Sequence, residues 1–257
     1  MVGLIYGIAS YLGFLGVFAY LAAFSDGVLV PKHVDSGSAG DWVFSLVCDC
    51  LLILLFGLQH SLMARERFKR ALTRLVPAHL ERATFVLASS MALALLMWQW
   101  RPLNLVLWSI QNANISCLLW AINALGWLGV PLASFMIDHF DLFGLKQAWN
   151  GFRQASLERK GFVTPFVYRY VRHPMMTSLL VGFWVTPHMT AGHLLLTLGM
   201  SAYILIGVRY EERSLARELG HAYLQYQTSV PKFLPLGTPK GPLREAPESA
   251  PSSSRAG

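Results

Sequence analysis

Three clusters of polar side chains sit within, or at the ends of, otherwise apolar runs in this 257-residue chain. Polar groups are costly at membrane depth, so each cluster needs a partner or a task. The first lies in the run Trp42–Met63, where Asp49 and His60 stand with Gln59 and Ser61. Asp49 and His60 are eleven residues apart, close to three helical turns, so they share a face. An imidazole with a carboxylate to orient it could accept a proton. Hydrogen bonds to neighbouring helices would use the same two residues. The second cluster is Asp138-His139-Phe140-Asp141-Leu142-Phe143-Gly144-Leu145-Lys146-Gln147. Here His139 is flanked by carboxylates, and Asp141 could orient it. No third ligand follows at zinc-site spacing, so no metal is expected. A helix-capping and interface role is the other reading.

The third cluster comes in two parts. Tyr168-Arg169-Tyr170-Val171-Arg172-His173-Pro174-Met175-Met176 precedes an apolar stretch. Arg209-Tyr210-Glu211-Glu212-Arg213-Ser214-Leu215 follows the next one, trailed by Gly220, Tyr223, Tyr226 and Val230-Pro231-Lys232-Phe233-Leu234-Pro235. An antiparallel hairpin would return Glu211 and Glu212 to the side that Arg172 and His173 leave. Cationic, anionic and aromatic groups would then meet at one mouth, which suits a zwitterionic, aromatic ligand. Plain interfacial salt bridges are the competing reading.

The elements that must position these groups follow from composition. Hydrophobic residues make up 54% of the chain and charged residues only 14%, against about 25% charged in a soluble domain. These values exclude a disordered chain, a disulfide scaffold and a soluble nucleic-acid binder. Apolar runs at 4–24, 42–63, 84–100 and 115–137 are each close to the ~20 residues needed to cross a bilayer. Pro131 should kink the fourth, which neighbouring helices can tolerate. A shorter run, 175–186, and a longer one, 191–208, flank Pro187 and should form a helical hairpin. Residues 138–172 and 211–226 are mixed and should supply amphipathic helices. The expected fold is therefore all-α: a polytopic integral membrane helical bundle of four full spans plus a C-terminal helical hairpin and cytoplasmic amphipathic helices. It should occupy 1–236, with 237–257 a disordered tail rich in Pro, Ser, Gly and Glu. The first apolar run is too long for a signal-peptide core and reads as a retained span. Cys48, Cys50 and Cys117 all lie in apolar runs. Cys48 and Cys50 would point about 200° apart on a helix, so they share no metal.

Basic residues set the orientation. The stretches 64–83, 138–174 and 209–257 hold 19 of the 21 Lys and Arg. The connections 25–41 and 101–114 hold only Lys32 and Arg101. The positive-inside rule puts the three basic stretches, and the N-terminus, in the cytoplasm. The net charge of +7 is thus a topology signal, with the lipid bilayer and not nucleic acid as the partner.

The spacing Arg172-His173-Pro174, a hairpin, Glu211-Glu212-x-x-Leu215 and Gly220-x-x-Tyr223-x-x-Tyr226 with Val230-Pro231 resembles the isoprenylcysteine carboxyl methyltransferase superfamily. Three further motifs are similar to its NnrU-like branch: Phe56-Gly57-x-Gln59-His60-Ser61-x-Met63-Ala64-Arg65, Trp98-Gln99-Trp100-Arg101-Pro102 and His139-Phe140-Asp141-Leu142-Phe143-Gly144-Leu145-x-Gln147. The resemblance runs from about residue 4 to 235. Departures fall at Met176, where an aromatic is usual, at Ser178 for Gly, and at Ser214 for Asp.

The resemblance implies a membrane methyltransferase with S-adenosyl-L-methionine as methyl donor. It implies transfer to the sulfur of methanethiol, giving dimethyl sulfide and S-adenosylhomocysteine. A different thiol or lipid-linked acceptor, or a non-catalytic NnrU-like factor, are the alternatives. It places the chain in a bacterial cytoplasmic (inner) membrane with the site facing the cytoplasm, and leaves oligomeric state open. The donor carboxylate would meet Arg172 and His173 beside Pro174, since a guanidinium offers a bidentate fork. Glu212 or Glu211 would accept from ribose or amino groups. Tyr168, Tyr210 and Tyr223 would line the adenine or face the sulfonium. Gln147 would close a lid with the residues around His139. The thiolate, not the thiol, is the nucleophile. His60 with Asp49, or His139 with Asp141, could take the thiol proton, or Arg209 could stabilise the thiolate by charge. A one-carbon thiol would need a small closed cavity for selectivity.

Overall fold

The structure is a computed structural model that describes residues 1–38, 40–155 and 165–235. The tail expected at 237–257 lies outside the described residues. Among the described residues, ten α-helices run in chain order: α1 Val2–Asp26, α2 Trp42–Met63, α3 Glu66–Leu72, α4 Glu81–Gln99, α5 Ala113–Ile137, α6 His139–Leu142, α7 Leu145–Arg153, α8 Pro174–Trp184, α9 Ala191–Leu219 and α10 His221–Ser229. Among the described residues, five helices are long and apolar enough to cross a membrane: α1, α2, α4 with its preceding turn, α5 and α9. The fold is an all-α polytopic membrane bundle.

The helices begin and end where local chemistry says they should. Asp41 caps α2 by accepting from the Phe44 amide at 2.7 Å, and Asn112 caps α5 through the Ile115 amide at 3.1 Å. Such caps satisfy amides that the helix itself leaves unpaired. Gly27 closes α1 in the left-handed conformation, with φ of 70°, which costs glycine nothing. α5 continues through Pro131.

α8 has eleven residues, or about 16 Å at the α-helical rise. It cannot cross a hydrocarbon core of about 30 Å. α9, at 29 residues, is about 43 Å long; it is long enough to cross and still carry Glu211 and Glu212 beyond the apolar part. The connection between α8 and α9 is a strand, β2 His188–Thr190, paired antiparallel with β1 Val106–Ser109. The sequence reading had treated 101–114 as a plain connection. This two-stranded sheet caps the end of the bundle opposite the second and third polar clusters.

α8 packs chiefly along α5, α1 along α4, and α9 against α2. The central core joins Leu21 and Phe24 of α1, Phe56 of α2, Leu96 and Met97 of α4, Trp127 of α5, Phe183 of α8, and Leu196 and Met200 of α9. Outward faces carry Leu51, Leu54, Leu55 and Leu58 on α2, and Leu125, Leu128 and Leu132 on α5. These apolar stripes meet lipid. Among the described residues, the basic stretches lie together at one end. Gly3 of α1 adjoins His79, Gly7 adjoins Ala148 of α7, and Arg82 of α4 donates to the Leu142 carbonyl.

The α5–α8 contact depends on small residues. A Cβ on Gly126 would stand 2.6 Å from the Gly182 backbone nitrogen, and one on Gly129 would stand 2.5 Å from the Ser178 hydroxyl. Ser178, a departure from the superfamily pattern, thus faces α5. Close approach of this kind is how membrane helices pack. Gly126→Val should therefore destabilise the bundle by about 1–3 kcal/mol through overpacking, read as a lower melting temperature in detergent. Gly13→Ala should leave it unchanged, because nothing lies within 4 Å of a Cβ there.

Candidate active site

The C-terminal polar cluster closes around one carboxylate. Glu212, on the last turns of α9, is only 7% exposed. Its Oε1 accepts from Arg172 Nε at 2.9 Å and Nη2 at 2.8 Å, and lies 3.1 Å from His173 Nε2. Its Oε2 meets Lys232 Nζ at 2.7 Å. Arg172 also donates through Nη1 to the Gln227 carbonyl at 2.7 Å and to the Val230 carbonyl. The backbone seals the same joint: the Arg172 amide donates to the Pro231 carbonyl at 2.9 Å and the His173 amide to the Lys232 carbonyl at 3.2 Å. Thr177 adds a hydroxyl bond to the Phe233 carbonyl at 2.9 Å. Pro174 opens α8 at the first turn, where its missing N–H leaves no gap. The start of α8, the end of α9 and the chain after α10 are thereby locked together.

This lock changes the reading of several residues. Arg172 was expected to offer its fork to a donor carboxylate, but its donors are already engaged by Glu212, Gln227 and Val230. Tyr223 is 2% exposed and packs with Tyr226, Leu215 and Val230 under α9. Burial first, and then the Glu212 charge, push the Tyr223 phenol up to about 12. Tyr226 donates to the Tyr168 carbonyl. Tyr168 itself reaches the Ala133 carbonyl at 3.4 Å. Burial and the nearby Glu211 charge raise its phenol as well, so both phenols serve as donors at neutral pH.

Glu211 points elsewhere. Half of its side chain is open, with Oε2 at 3.7 Å from His173 Nδ1. It interacts through space with Arg82 of α4, and with Tyr203 of α9 and Tyr168. These groups lie toward the polar end of the bundle. His60 packs beside them, with ring centroids 4.7 Å from Phe85, 5.5 Å from Tyr203 and 5.6 Å from Phe56. His60 Nδ1 is buried and has no hydrogen-bond partner. An unpaired buried polar atom in a native site asks for a ligand, a proton or a water.

Beside this region opens a cleft of about 350 Å³ whose lining includes Lys69, Glu81, Arg82, Asp138, Asp141 and Gln147. Gln147 donates to the Asp141 carbonyl at 3.0 Å and to its side chain at 3.4 Å. Gln147 Oε1 and Glu81 Oε1 are buried without partners. Lys146 pairs with Asp138 at 2.9 Å and steadies the wall.

Other expected site residues are not brought together. Asp49 is fully buried and accepts from the Arg101 amide at 3.0 Å, at the far end of α4. It lies about 16 Å along α2 from His60, so it cannot orient that ring. His139 is 4% exposed, and both ring nitrogens are taken: Nε2 lies 2.7 Å from the Tyr11 hydroxyl and Nδ1 2.7 Å from the Ser134 hydroxyl. Its ring stacks on Phe135 at 4.0 Å. Burial lowers its pKa, favouring neutral imidazole. Asp141 turns to Gln147 instead. His139 ties α1, α5 and α6 together and is no open base. Arg209 is exposed, and Tyr210 is 60% exposed beneath Arg213. Neither faces the lock.

Three residues gained importance only in three dimensions. Lys232 completes the shell around Glu212. Arg82 had counted only toward topology, although an Arg at a span's end with Phe85 three residues on is a signal of sorts. Tyr203 was hidden in an apolar run.

No family model matches the chain, and no solved structure matches it. Curated relatives do. The chain is 45% identical over 232 residues to the methanethiol S-methyltransferase of Mycobacterium tuberculosis, covering 90% of this chain and 95% of that one. It is 44% identical over 233 residues to methanethiol S-methyltransferase 2 of Bradyrhizobium diazoefficiens, covering 90% and 89%. Nurim of Bos taurus is 30% identical over 189 residues, covering 68% and 72%. The similarity to the bacterial relatives spans nearly the whole chain, so this protein belongs to the methanethiol S-methyltransferase family.

Proposed function

We propose that this chain transfers the methyl group of S-adenosyl-L-methionine to the sulfur of methanethiol, releasing dimethyl sulfide and S-adenosylhomocysteine. The observation that carries the reading is the similarity, at 45% identity over 90% of the chain, to a relative of that name. The surplus of basic residues at one end supports a site facing the cytoplasm across a bacterial inner membrane.

The residues present fit such a donor. Its ammonium, ribose hydroxyls and adenine amino group are all hydrogen-bond donors. Gln147 Oε1 and Glu81 Oε1 are buried acceptors without partners, and the Glu211 carboxylate is half open beside them. Gln147, Tyr168, His173 and Glu211 would hold the donor. Arg172, Pro174, Glu212 and Tyr223 would position them through the lock. When bound, the donor supplies a methyl group activated by a sulfonium. The chain's own walls of Phe56, Phe85 and Tyr203 exclude water. Opposite charges are lost as a thiolate meets a sulfonium, and a dry site favours that loss once the ions are assembled.

Purified protein should release dimethyl sulfide into the headspace when given labelled S-adenosyl-L-methionine and methanethiol, and much less of the methylated product with larger thiols. No transfer to any thiol, with S-adenosylhomocysteine still bound, would overturn the reading. Glu211→Gln should weaken S-adenosylhomocysteine binding by about tenfold or more, the worth of a hydrogen bond to a charged group; calorimetry showing unchanged affinity would remove Glu211 from the donor site. Glu212→Ala should instead cost about 3–5 kcal/mol of stability, because three cationic or donor groups lose their buried counter-charge. A melting temperature equal to that of the unaltered protein would contradict that structural role.

A further inference from the structure

We propose that the Arg82 guanidinium and His60, joined across the Phe85 ring, mark the acceptor subsite, binding a one-carbon thiol as its thiolate. This inference rests on the methyl-transfer reading and assigns the half of the site that the lock and the cleft leave unassigned.

Arg82 is held but not used up. Its Nε donates to the Leu142 carbonyl at 2.8 Å, and its guanidinium carbon stands 5.5 Å above the Phe85 ring. Among the described residues, its two terminal nitrogens have no hydrogen-bond or ion-pair partner. Glu81, Asp141 and Glu211 act on it only through space. A half-buried guanidinium with unpaired N–H groups is costly unless an anion completes it. The neighbouring surface decides which anion. The Phe56, Phe85 and Tyr203 rings pack around His60. Aromatic edges favour a polarizable sulfur and a methyl group.

His60 supplies the second half of the chemistry. Its Nδ1 is the buried ring nitrogen without a partner. The S–H bond of the thiol breaks, its proton goes to His60 Nδ1, and sulfur keeps the electron pair. The resulting thiolate is balanced by Arg82. Aromatic rings packed around His60 would exclude a bulky acceptor, which gives selectivity where contacts are few. Tyr203 and Glu211 lie eight residues apart on α9, about 12 Å along the helix, so one helix joins the acceptor subsite to the donor's acceptors.

The test uses purified protein in lipid nanodiscs with methanethiol. The ultraviolet band of thiolate should appear when methanethiol binds the unaltered protein at neutral pH. Arg82→Ala should abolish the band and lower kcat/KM for methanethiol about a hundredfold, the cost of losing one preorganised charge-stabilising group. S-adenosylhomocysteine affinity should fall by far less, and Arg82→Lys, which keeps the charge, should restore part of both signals. His60→Gln, which spares the Leu142 contact and therefore the local fold, should also lose the band. A loss of S-adenosylhomocysteine affinity in Arg82→Ala as large as the loss in kcat/KM would overturn the proposal and make Arg82 a donor ligand. An unaltered band and kcat/KM would overturn it as well. A thiolate band without methyl transfer in the unaltered protein would support the subsite while overturning the function itself.

Discussion

One desolvated carboxylate organises the active end of this molecule. Glu212 sits at 7% exposure among Arg172, His173 and Lys232. Moving that many charges out of water is expensive, and it is offset only when the geometry is good and every remaining group is satisfied. Here the spare guanidinium donors go to backbone carbonyls in the last turn of α10 and just after it, so the ion cluster and the chain path stabilise each other. Three segments far apart in sequence become one rigid wall. Its neighbour Glu211 is then free to face inward, half open. Two adjacent carboxylates thus divide the work: one holds the wall and the other presents charge to the interior.

The short α8 makes this arrangement possible. Because eleven residues are too few to cross the bilayer, α8 reaches the opposite end only through the extended chain that leads into β2, which pairs with β1. α8 gains its support from α5 through glycine contacts and not from lipid. Its first turn is consequently fixed close to the ion cluster. The dry aromatic region around His60 lies next to that wall, with Arg82 between the interior and the cleft. A charge-neutralising reaction gains from such a setting, since charges held in a low-dielectric pocket interact strongly and are lost on going to product.

Much of this was legible in the sequence. Apolar runs marked the long helices, and the short run 175–186 with the longer 191–208 marked a helical hairpin. The His173 and Glu212 meeting followed from a hairpin returning to its own mouth. What stayed hidden depended on partners far away in the chain. His139 looked like a base because nothing local shows that Tyr11, 128 residues away, and Ser134 fill both of its nitrogens. Asp49 looked like the partner of His60 because they share a helical face; their separation along the axis and the Arg101 amide decide otherwise. Arg82 was disguised by the charge rule that explains most of its neighbours, and Tyr203 by the apolar residues around it. Residue type revealed which groups could act, while long-range packing decided which were still available.

The central claim is that donor and acceptor meet at the end of the bundle built by the Glu212 lock, and not near the small sheet. Hydrogen exchange of the protein in nanodiscs, with and without S-adenosylhomocysteine, tests it most directly. Protection should rise in 139–153 and 209–215 and stay unchanged in 106–109 and 188–190. Protection confined to the two strands, with none around Gln147 and Glu211, would contradict the account.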